Sequence, residues 1–302
     1  MNIAFCINRL ALAGLGVTVA SLVRNCSDSS LLKIYFLCSG LLDSDKDNIH
    51  DLLKLENYGG EYHFIDFNPK REFGAFRSLH GDWTAYGRLL LPDLVTESRI
   101  LYLDADLAVE LDVLQVSNFD LKGLAFAAVQ FGTVLTTLEN DFFINSAGLS
   151  PDAPAFNSGI LLFDLDKWRN EDLKERCLVF ARKYPTQLLA CDQTLLNSLF
   201  ANQFAKLPES FNCPWYPGEP RPSLSGKMIL HYVGSPKPWD IGGGFVHSGY
   251  RIWKSYLNPF WADKYIHISY DDMKRAWKIR RSYFRILQKI FFNKVSKRSN
   301  YS

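Results

Sequence analysis

Along the chain, short runs of branched and aromatic residues alternate with longer segments in which apolar positions recur every three or four residues. The first run, Asn2 to Ile7, predicts a strand; a turn at Asn8 then leads into a helix reaching about Arg24. "KIYFLCSG" (33–40) predicts a second strand, residues 43–58 a polar-faced helix before Gly59-Gly60, and "EYHFIDF" (61–67) a third strand ended by Pro69. Thr84 to Leu94 reads as helical, and "RILYLDADLAV" (99–109) follows as a strand. "LAFAAVQF" (124–131) and "NSGILLFDLDKW" (157–168) are strand-like, with helices expected from Glu171 to Arg182 and around Gln193 to Ala201. Strands separated by helices predict an α/β fold with a mostly parallel central sheet covered on both faces. Residues 212–245, rich in Pro, Gly and aromatics, predict an irregular segment over the carboxyl edge of that sheet, where ligands of such folds bind.

One strand breaks the pattern. "RILYL" runs into Asp104 and Asp106 with only Ala105 between them. Residues two apart in an extended segment point to one side, so the two carboxylates converge and their repulsion needs compensation. A divalent cation preferring oxygen supplies it and bridges carboxylates to phosphate oxygens. A bare DxD triplet is common, and the alternative is one Asp capping a turn while the other is solvated. A second stretch, "ILHYVGSPKPWD" (229–240), again runs apolar residues into a polar set: His231, Gly234 and Lys237. Two Asp and one His favour Mn²⁺, with Mg²⁺ as the alternative, because imidazole is a poorer ligand for Mg²⁺. Lys237 offers a point charge to phosphate, and Gly234 lets backbone approach closely. Taken alone, His231 reads as a satisfied core histidine; with the DxD it completes a diphosphate–metal site.

Composition narrows the setting. The 302 residues are 47% hydrophobic and 22% charged, those of a folded chain. The six cysteines form no CxxC pair, which argues against zinc and fits a reducing compartment. The apolar N-terminus lacks a basic start and is interrupted by Arg9, Gly14 and Gly16, so a strand and helix explain it better than a signal peptide. No uninterrupted apolar run approaches the ~20 residues that span a bilayer. The net charge of +2 conceals an asymmetry: ten Lys or Arg and no acid lie in residues 273–302, leaving 24 basic against 32 acidic residues in 1–272. On a helical wheel from Met273 to Val295, Lys274, Lys278, Arg281, Arg285 and Lys289 form one stripe, and Met273, Trp277, Phe284, Leu287 and Phe291 lie well round from it, with Tyr283 and Ile290 widening the apolar arc. Such a tail suits an anionic membrane interface, the alternatives being packing on the body or nucleic acid, which is not expected as a partner.

At this point the chain resembles family 8 glycosyltransferases, the retaining group that includes bacterial lipopolysaccharide glucosyl- and galactosyltransferases and, more distantly, glycogenin. The matching pieces are "GLGVTVASL", "TAYGRLLLPDL", "ILYLDADLAV", "FNSGILLFDLDKWR", "CDQTLLN" and "LHYVGSPKPW", in order over residues 1–260. The resemblance implies a GT-A catalytic domain over 1–260, Rossmann-like, followed by a basic amphipathic membrane-associating segment, 261–302. It further implies a nucleotide-sugar donor, UDP-glucose or UDP-galactose, manganese, and retention at the anomeric carbon. Asp104, Asp106 and His231 would hold the metal. Asn8, Ala105 and Ser158 would lie along the donor, Arg88 and Asn157 against its sugar, and Asp192 on the sugar's hydroxyls. Gly234 and Lys237 would grip the diphosphate, and Gln193 would sit beneath the anomeric carbon, making Gln193 and Asp192 the catalytic candidates. Read without the family, Arg88 is a helix-surface ion pair, Asp192 a helix N-cap and Asn157 a backbone bond at a strand entry.

Two departures matter. The family usually carries an Asp after the first strand, where this chain has Asn8, which still offers both donor and acceptor to a pyrimidine. Many relatives carry an Asp after the "DQ", where this chain has Thr194, so that carboxylate nucleophile is missing and front-face attack is favoured. The expected enzyme is a hexosyltransferase acting on a membrane-borne glycan or glycolipid such as lipopolysaccharide core, at the cytoplasmic face of the cell membrane. The alternatives are a glycogenin-like protein glycosyltransferase and a nucleotide-sugar-binding protein without turnover. Trp215, Tyr216 and Trp239 are candidates to stack on acceptor rings, or to pack.

Overall fold

The computed structural model describes residues 1–299. In chain order the strands are β1 (Asn2–Asn8), β2 (Lys33–Ser39), β3 (Glu61–Asp66), β4 (Arg99–Leu103), β5 (Leu107–Val109) and β6 (Phe126–Ala128). They continue with β7 (Gln130–Thr133), β8 (Pro154–Phe156), β9 (Ile160–Asp164), β10 (Ala205–Lys206), β11 (Cys213–Pro214) and β12 (Ile229–His231). The α-helices are α1 (Leu12–Asn25), α2 (Asp43–Leu55), α3 (Pro69–Phe73), α4 (Leu91–Leu94), α5 (Leu165–Asn170) and α6 (Leu173–Lys183). After them come α7 (Asp192–Phe200), α8 (Gly243–Val246), α9 (Tyr250–Tyr256), α10 (Pro259–Tyr265), α11 (Tyr270–Lys278) and α12 (Arg280–Ser299).

Seven strands build the central sheet in the order β10-β6-β9-β4-β1-β2-β3. β3, β2, β1 and β4 run parallel, β9 is antiparallel to both β4 and β6, and β10 is parallel to β6. Alternation along β1 feeds both faces: Ile3, Phe5 and Ile7 pack beneath α1 and α2, while Ala4 and Cys6 face Tyr86, Leu89 and the layer around Trp168. Burial on both faces explains why the strands read as continuous apolar runs.

The structure departs from the sequence reading in several elements. Thr84–Leu90 is a 3₁₀ segment followed by the single turn α4 with Pro92 in its first turn, not one helix. Gly87 lies inside the 3₁₀ segment, where a Cβ would stand 2.6 Å from the Phe67 ring. The strand read across 99–109 is two strands in different sheets, β4 and β5, with the acidic triplet as the crossing. The run 124–131 likewise divides into β6 and β7, and 157–168 into β9 and α5. The irregular segment 212–245 contains β11 and β12, which form a small sheet with β5.

α10 straddles residue 260, and its Trp261 is fully buried against Gly16 with the indole N–H donating to the Leu12 carbonyl at 2.8 Å. Residues 259–265 therefore pack with the body of the fold. The tail is two helices rather than one, α11 and α12, broken at Ile279. Residues 300–302 of the expected tail, and the side chains of Phe291 and Val295, lie outside the described residues. No helix among the described residues is long and apolar enough to cross a membrane.

Candidate active site

Two strand ends bring the site together. β1 and β4 pair with Ile3 opposite Leu101 and Ala4 opposite Tyr102, and the chain leaves β4 at the sheet's carboxyl edge through Asp104 and Asp106. It re-enters a sheet as β5, paired antiparallel with β12 so that Leu107 faces His231. The backbone N–H of Asp104 donates to Gly159 and that of Tyr232 to the Asp106 carbonyl, pinning the crossing. One ligand atom each from Asp104, Asp106 and His231 then lies within 4.8 Å of the others. His231 Nε2 is 3.2 Å from Asp106 Oδ1 and 3.8 Å from Asp104 Oδ2.

This cluster fits a divalent cation on a specific observation. Asp106 Oδ1 is buried and accepts no hydrogen bond, an arrangement costing about 1–3 kcal/mol or more for a charged acceptor left alone. Burial alone would raise the Asp106 pKa, but the Lys237 ammonium beside it outweighs that and holds the carboxyl well below the usual carboxylate range. It is thus ionised, with a free lone pair aimed into the cluster. The imidazole is oriented to match. Asn212 donates from Nδ2 to Asn157 Oδ1 at 3.0 Å, so its own Oδ1 accepts from His231 Nδ1 at 3.0 Å. In the neutral ring that leaves Nε2 with its lone pair toward the acids, as a metal-ligating histidine needs. Gly159 makes the approach feasible, since a Cβ there would stand 2.4 Å from His231 Cε1 and 2.8 Å from Asp104 Oδ2.

The polar chain continues from Asn157, whose Nδ2 donates to Gln193 Oε1 at 2.9 Å; the Ser158 N–H donates to the same oxygen at 3.2 Å. Gln193, in the first turn of α7, is therefore held by its carbonyl oxygen, with its amide nitrogen left for a ligand. Thr194, the next residue, is fully buried and turns away: its hydroxyl donates to Glu139 Oε1 at 2.5 Å and accepts from the Ala190 N–H.

Beneath this layer Arg88 is 2% exposed. Its Nη2 donates to Tyr102 and to Asp104 Oδ1, each near 3 Å, and its Nη1 to the Ser158 carbonyl. Asp192 Oδ2 lies 3.1 Å from Arg88 Nε, but the Nε hydrogen is directed at the Ala85 carbonyl, so Asp192 gains charge compensation without a directed bond. Burial pushes the Asp192 carboxyl up to about 6, only partly offset by Arg88 and reinforced by Asp104. Arg88 therefore stands as a buried tie between two acids, not on a helix surface.

Lys237 closes the other side, its Nζ 2.6 Å from Asp106 Oδ2 and also donating to the Tyr232 carbonyl. Gly234 has φ +77°, a conformation that favours glycine. Asn8 ends β1, caps the following turn by accepting from the Ala11 N–H, and donates to Asp82 at 2.8 Å. The Ala105 carbonyl lies where a Cβ on Gly14 would sit 2.5 Å away, so the triplet packs tightly on α1.

Next to Gln193 opens a cavity of about 630 Å³ whose wall includes Phe131, Leu138, Glu139, Leu189 and Tyr216. Of the three aromatic candidates, Tyr216 lines this cavity and is half exposed. Trp215 is buried, with its indole bonded to Ser248 and Glu219, and Trp239 packs edge-on against Tyr232; both are packing residues. Asn212, Gly159, Asp82 and Glu139 escaped the sequence reading. Only Gly159 left a trace there, inside "FNSG"; the other three depend on contacts between distant segments.

The chain is 24% identical over 284 residues to General stress protein A of Bacillus subtilis, covering 86% of this chain and 96% of that protein. It is 30% identical over 237 residues to glycosyltransferase GlyE of Streptococcus pneumoniae, covering 71% of this chain and 52% of GlyE, so it spans about half that relative's length. Against the lipopolysaccharide 1,3-galactosyltransferase of Salmonella typhimurium it is 23% identical over 277 residues, with coverages of 86% and 79%. The galactosyltransferase LgtC, solved with donor and acceptor sugar analogs, superposes with a TM-score of 0.70 at 22% identity over 90% of this chain and 98% of LgtC. An active-site glutamine-to-glutamate mutant of LgtC gives 0.72 at the same identity and coverages. The fold is thus of GT-A type. Residues 2–241, nearly the whole body of that fold and every site residue named above, match the model of glycosyl transferase family 8, and the chain belongs to that family of glycosyltransferases.

Proposed function

We propose that this glycosyltransferase moves a hexose, glucose or galactose, from a UDP-sugar to a membrane-borne glycan such as lipopolysaccharide core, with retention at the anomeric carbon. The observation that carries the reading is the Asp104–Asp106–His231 cluster, with Lys237 against it, at the carboxyl edge of the sheet. Mn²⁺ held by those three side chains would stabilise the negative charge that develops on the departing diphosphate. Lys237, on a glycine-hinged loop, would add its own charge to those phosphate oxygens. Removing a charge aimed at a developing oxyanion typically costs about 10²–10³ in rate.

Retention needs either a covalent glycosyl-enzyme or attack from the face the leaving group departs. Thr194 carries no carboxylate and its hydroxyl is engaged with Glu139. Gln193 is a poor nucleophile, and its amide oxygen already accepts two hydrogen bonds. Front-face attack therefore fits best. The bond from the anomeric carbon to the diphosphate breaks, the acceptor oxygen bonds to the same face, and the acceptor's proton passes to the departing phosphate oxygen. In this reading the free amide of Gln193 orients the sugar from beneath, and Arg88 holds Asp104 and Asp192 in place. Asn157 and Ser158 fix Gln193, Asn8 lies toward the base, and the cavity beside Gln193 receives the acceptor. The lipopolysaccharide galactosyltransferase among the relatives supports this acceptor class.

The C-terminal helices fit a peripheral position at the inner face of the membrane. Tyr270, Met273, Trp277, Phe284 and Leu287 stay exposed rather than packing on the body, beside the basic stripe.

The test is to incubate the full chain with Mn²⁺ and UDP-glucose or UDP-galactose, with and without detergent-solubilised lipopolysaccharide core, and to follow UDP release and the anomeric configuration of the product. UDP release that requires the acceptor, giving an α-linked product from an α-linked donor, supports the reading. An inverted product, pyrophosphate release, or a glycosyl adduct on a side chain of this enzyme overturns it.

A further inference from the structure

The loop carrying Gly234 and Lys237 is fastened from a direction that the reaction itself does not explain. Asp240, three residues past Lys237, has a carboxylate only 5% exposed. Its Oδ2 accepts from the Lys237 backbone N–H at 2.7 Å, which closes the turn under the lysine. The same carboxylate receives a fork from Arg275 on α11, Nε to Oδ1 at 2.6 Å and Nη2 to Oδ2 at 3.0 Å. Arg275 Nη2 also reaches toward Ser235 Oγ at 3.5 Å. One helix further on, the Tyr283 hydroxyl donates to the Ile241 carbonyl, and Ile286 packs over Gly218 in the segment facing this loop. The loop is thus held at Lys237's own peptide by a carboxylate whose second and third bonds come from the C-terminal helices.

From these contacts the geometry points to Arg275 as a positioning residue for Lys237: through Asp240 it fixes the loop so that the lysine meets the donor's diphosphate. The inference rests on Lys237 contacting that diphosphate. A planar guanidinium suits the role because its fork fixes both position and orientation of the carboxylate, which a lysine at 275 would not. Removing it frees Asp240 to rotate and releases the turn, so the lysine must be ordered at the moment of binding. Donor affinity then falls by that ordering cost, while the metal cluster keeps its ligands.

The experiment uses the full chain and UDP with Mn²⁺ as the probe, followed by titration calorimetry. Arg275→Ala is expected to weaken UDP by about 3- to 30-fold, the order of effect of residues that couple to a site without touching its ligand. Asp240→Asn should do the same, and Arg275→Lys should recover part of the loss. The decisive comparison is made in a Lys237→Ala background, where Arg275→Ala should add little, since the residue it positions is gone. Hydrogen exchange without metal or nucleotide gives an independent readout: Arg275→Ala should speed exchange across residues 234–243 and leave β1 and β4 protected. Unchanged UDP affinity in Arg275→Ala, or its full penalty reappearing beside Lys237→Ala, overturns the inference. If Lys237→Ala itself leaves UDP affinity unchanged, it is the diphosphate assignment that falls. Should Arg275→Ala not fold, Arg275→Lys and Asp240→Asn carry the same comparison.

Discussion

His231 Nδ1 and Asn212 Oδ1 stand 3.0 Å apart, and this one contact decides which nitrogen of the imidazole faces Asp104 and Asp106. Asn212 is itself fixed by donating to Asn157. Asn157, just past β8, and Asn212, just ahead of β11, thereby set which nitrogen of the β12 imidazole is turned to the acids.

Replacing Asn212 by alanine removes that orientation without touching a candidate ligand. The ring is then free to present either nitrogen, and Mn²⁺ affinity should fall by about 10- to 100-fold, the usual cost of losing such a supporting bond. Titrating Mn²⁺ into the variant and reading free ion by electron paramagnetic resonance measures it. Equal affinity in variant and parent would mean that the neighbouring acids alone orient the ring.

Gly159 makes a sharper demand. An alanine methyl would enter space held by His231, Asp104 and Asn157 at once, all within 3 Å, and the first two are the cluster itself. Gly159→Ala should lower the free energy of unfolding read from urea titration by about 1–3 kcal/mol, the range for overpacking a tight interior. Mn²⁺-dependent UDP release should fall more steeply than that loss suggests, because the carbon displaces the ligating groups and not only the core. A variant as active as the parent would show that the cluster can relax without consequence.

The main strands were largely legible because buried strands announce themselves as apolar runs, and the acids at 104 and 106 stood out against one. The crossing they form was not, since "RILYLDADLAV" looks like one strand until β12 offers β5 a second sheet to join. Without the family motif Arg88 reads only as a surface ion pair, because sequence shows its charge but not the burial that Tyr102, Asp104 and Asp192 compensate. Asn212 and Asp240 were invisible as partners, each acting across a sequence gap that no local pattern spans. The break in the tail at Ile279 was not legible, and an unbroken wheel also hid that Arg275 reaches the loop.

His247 governs an acid response. It is 2% exposed, its Nδ1 accepts from the Gly249 N–H, and its Nε2 has no partner. Burial pushes its pKa down to about 4, with Lys237 acting the same way and the Trp215 backbone opposing. The unfolded chain therefore binds a proton that the folded one refuses between about pH 6.5 and 4, and stability falls as pH drops through that window. Asp192, raised to about 6, works in the opposite sense over an overlapping range, so the two partly cancel in the parent's curve. His247→Asn keeps an acceptor for Gly249 and removes the titration. Thermal unfolding from pH 7 to 4.5 should show the variant gaining on the parent as pH falls, by up to about one proton's slope. A constant offset between the two curves would rule out the histidine.

The exposed face of α11 and α12 can be tested without truncating the chain, which would also remove Arg275. Trp277 and Phe284 are 69% and 64% exposed, on helices whose Tyr283 and Ile286 face inward instead. Changing Trp277 and Phe284 together to glutamate therefore alters the outer face while leaving the inner contacts in place. If that face lies in an anionic interface, it contributes both apolar insertion and attraction to lipid charge, at about 1 kcal/mol for each nearby basic residue. The double variant should lose co-sedimentation with vesicles containing phosphatidylglycerol and keep the parent's melting temperature within a few degrees. The parent's own binding should weaken as salt rises, because screening reaches its charged component first. Equal pelleting of parent and variant would assign the exposed aromatics to some other contact, and binding that ignores both salt and lipid charge would remove the electrostatic part of the reading.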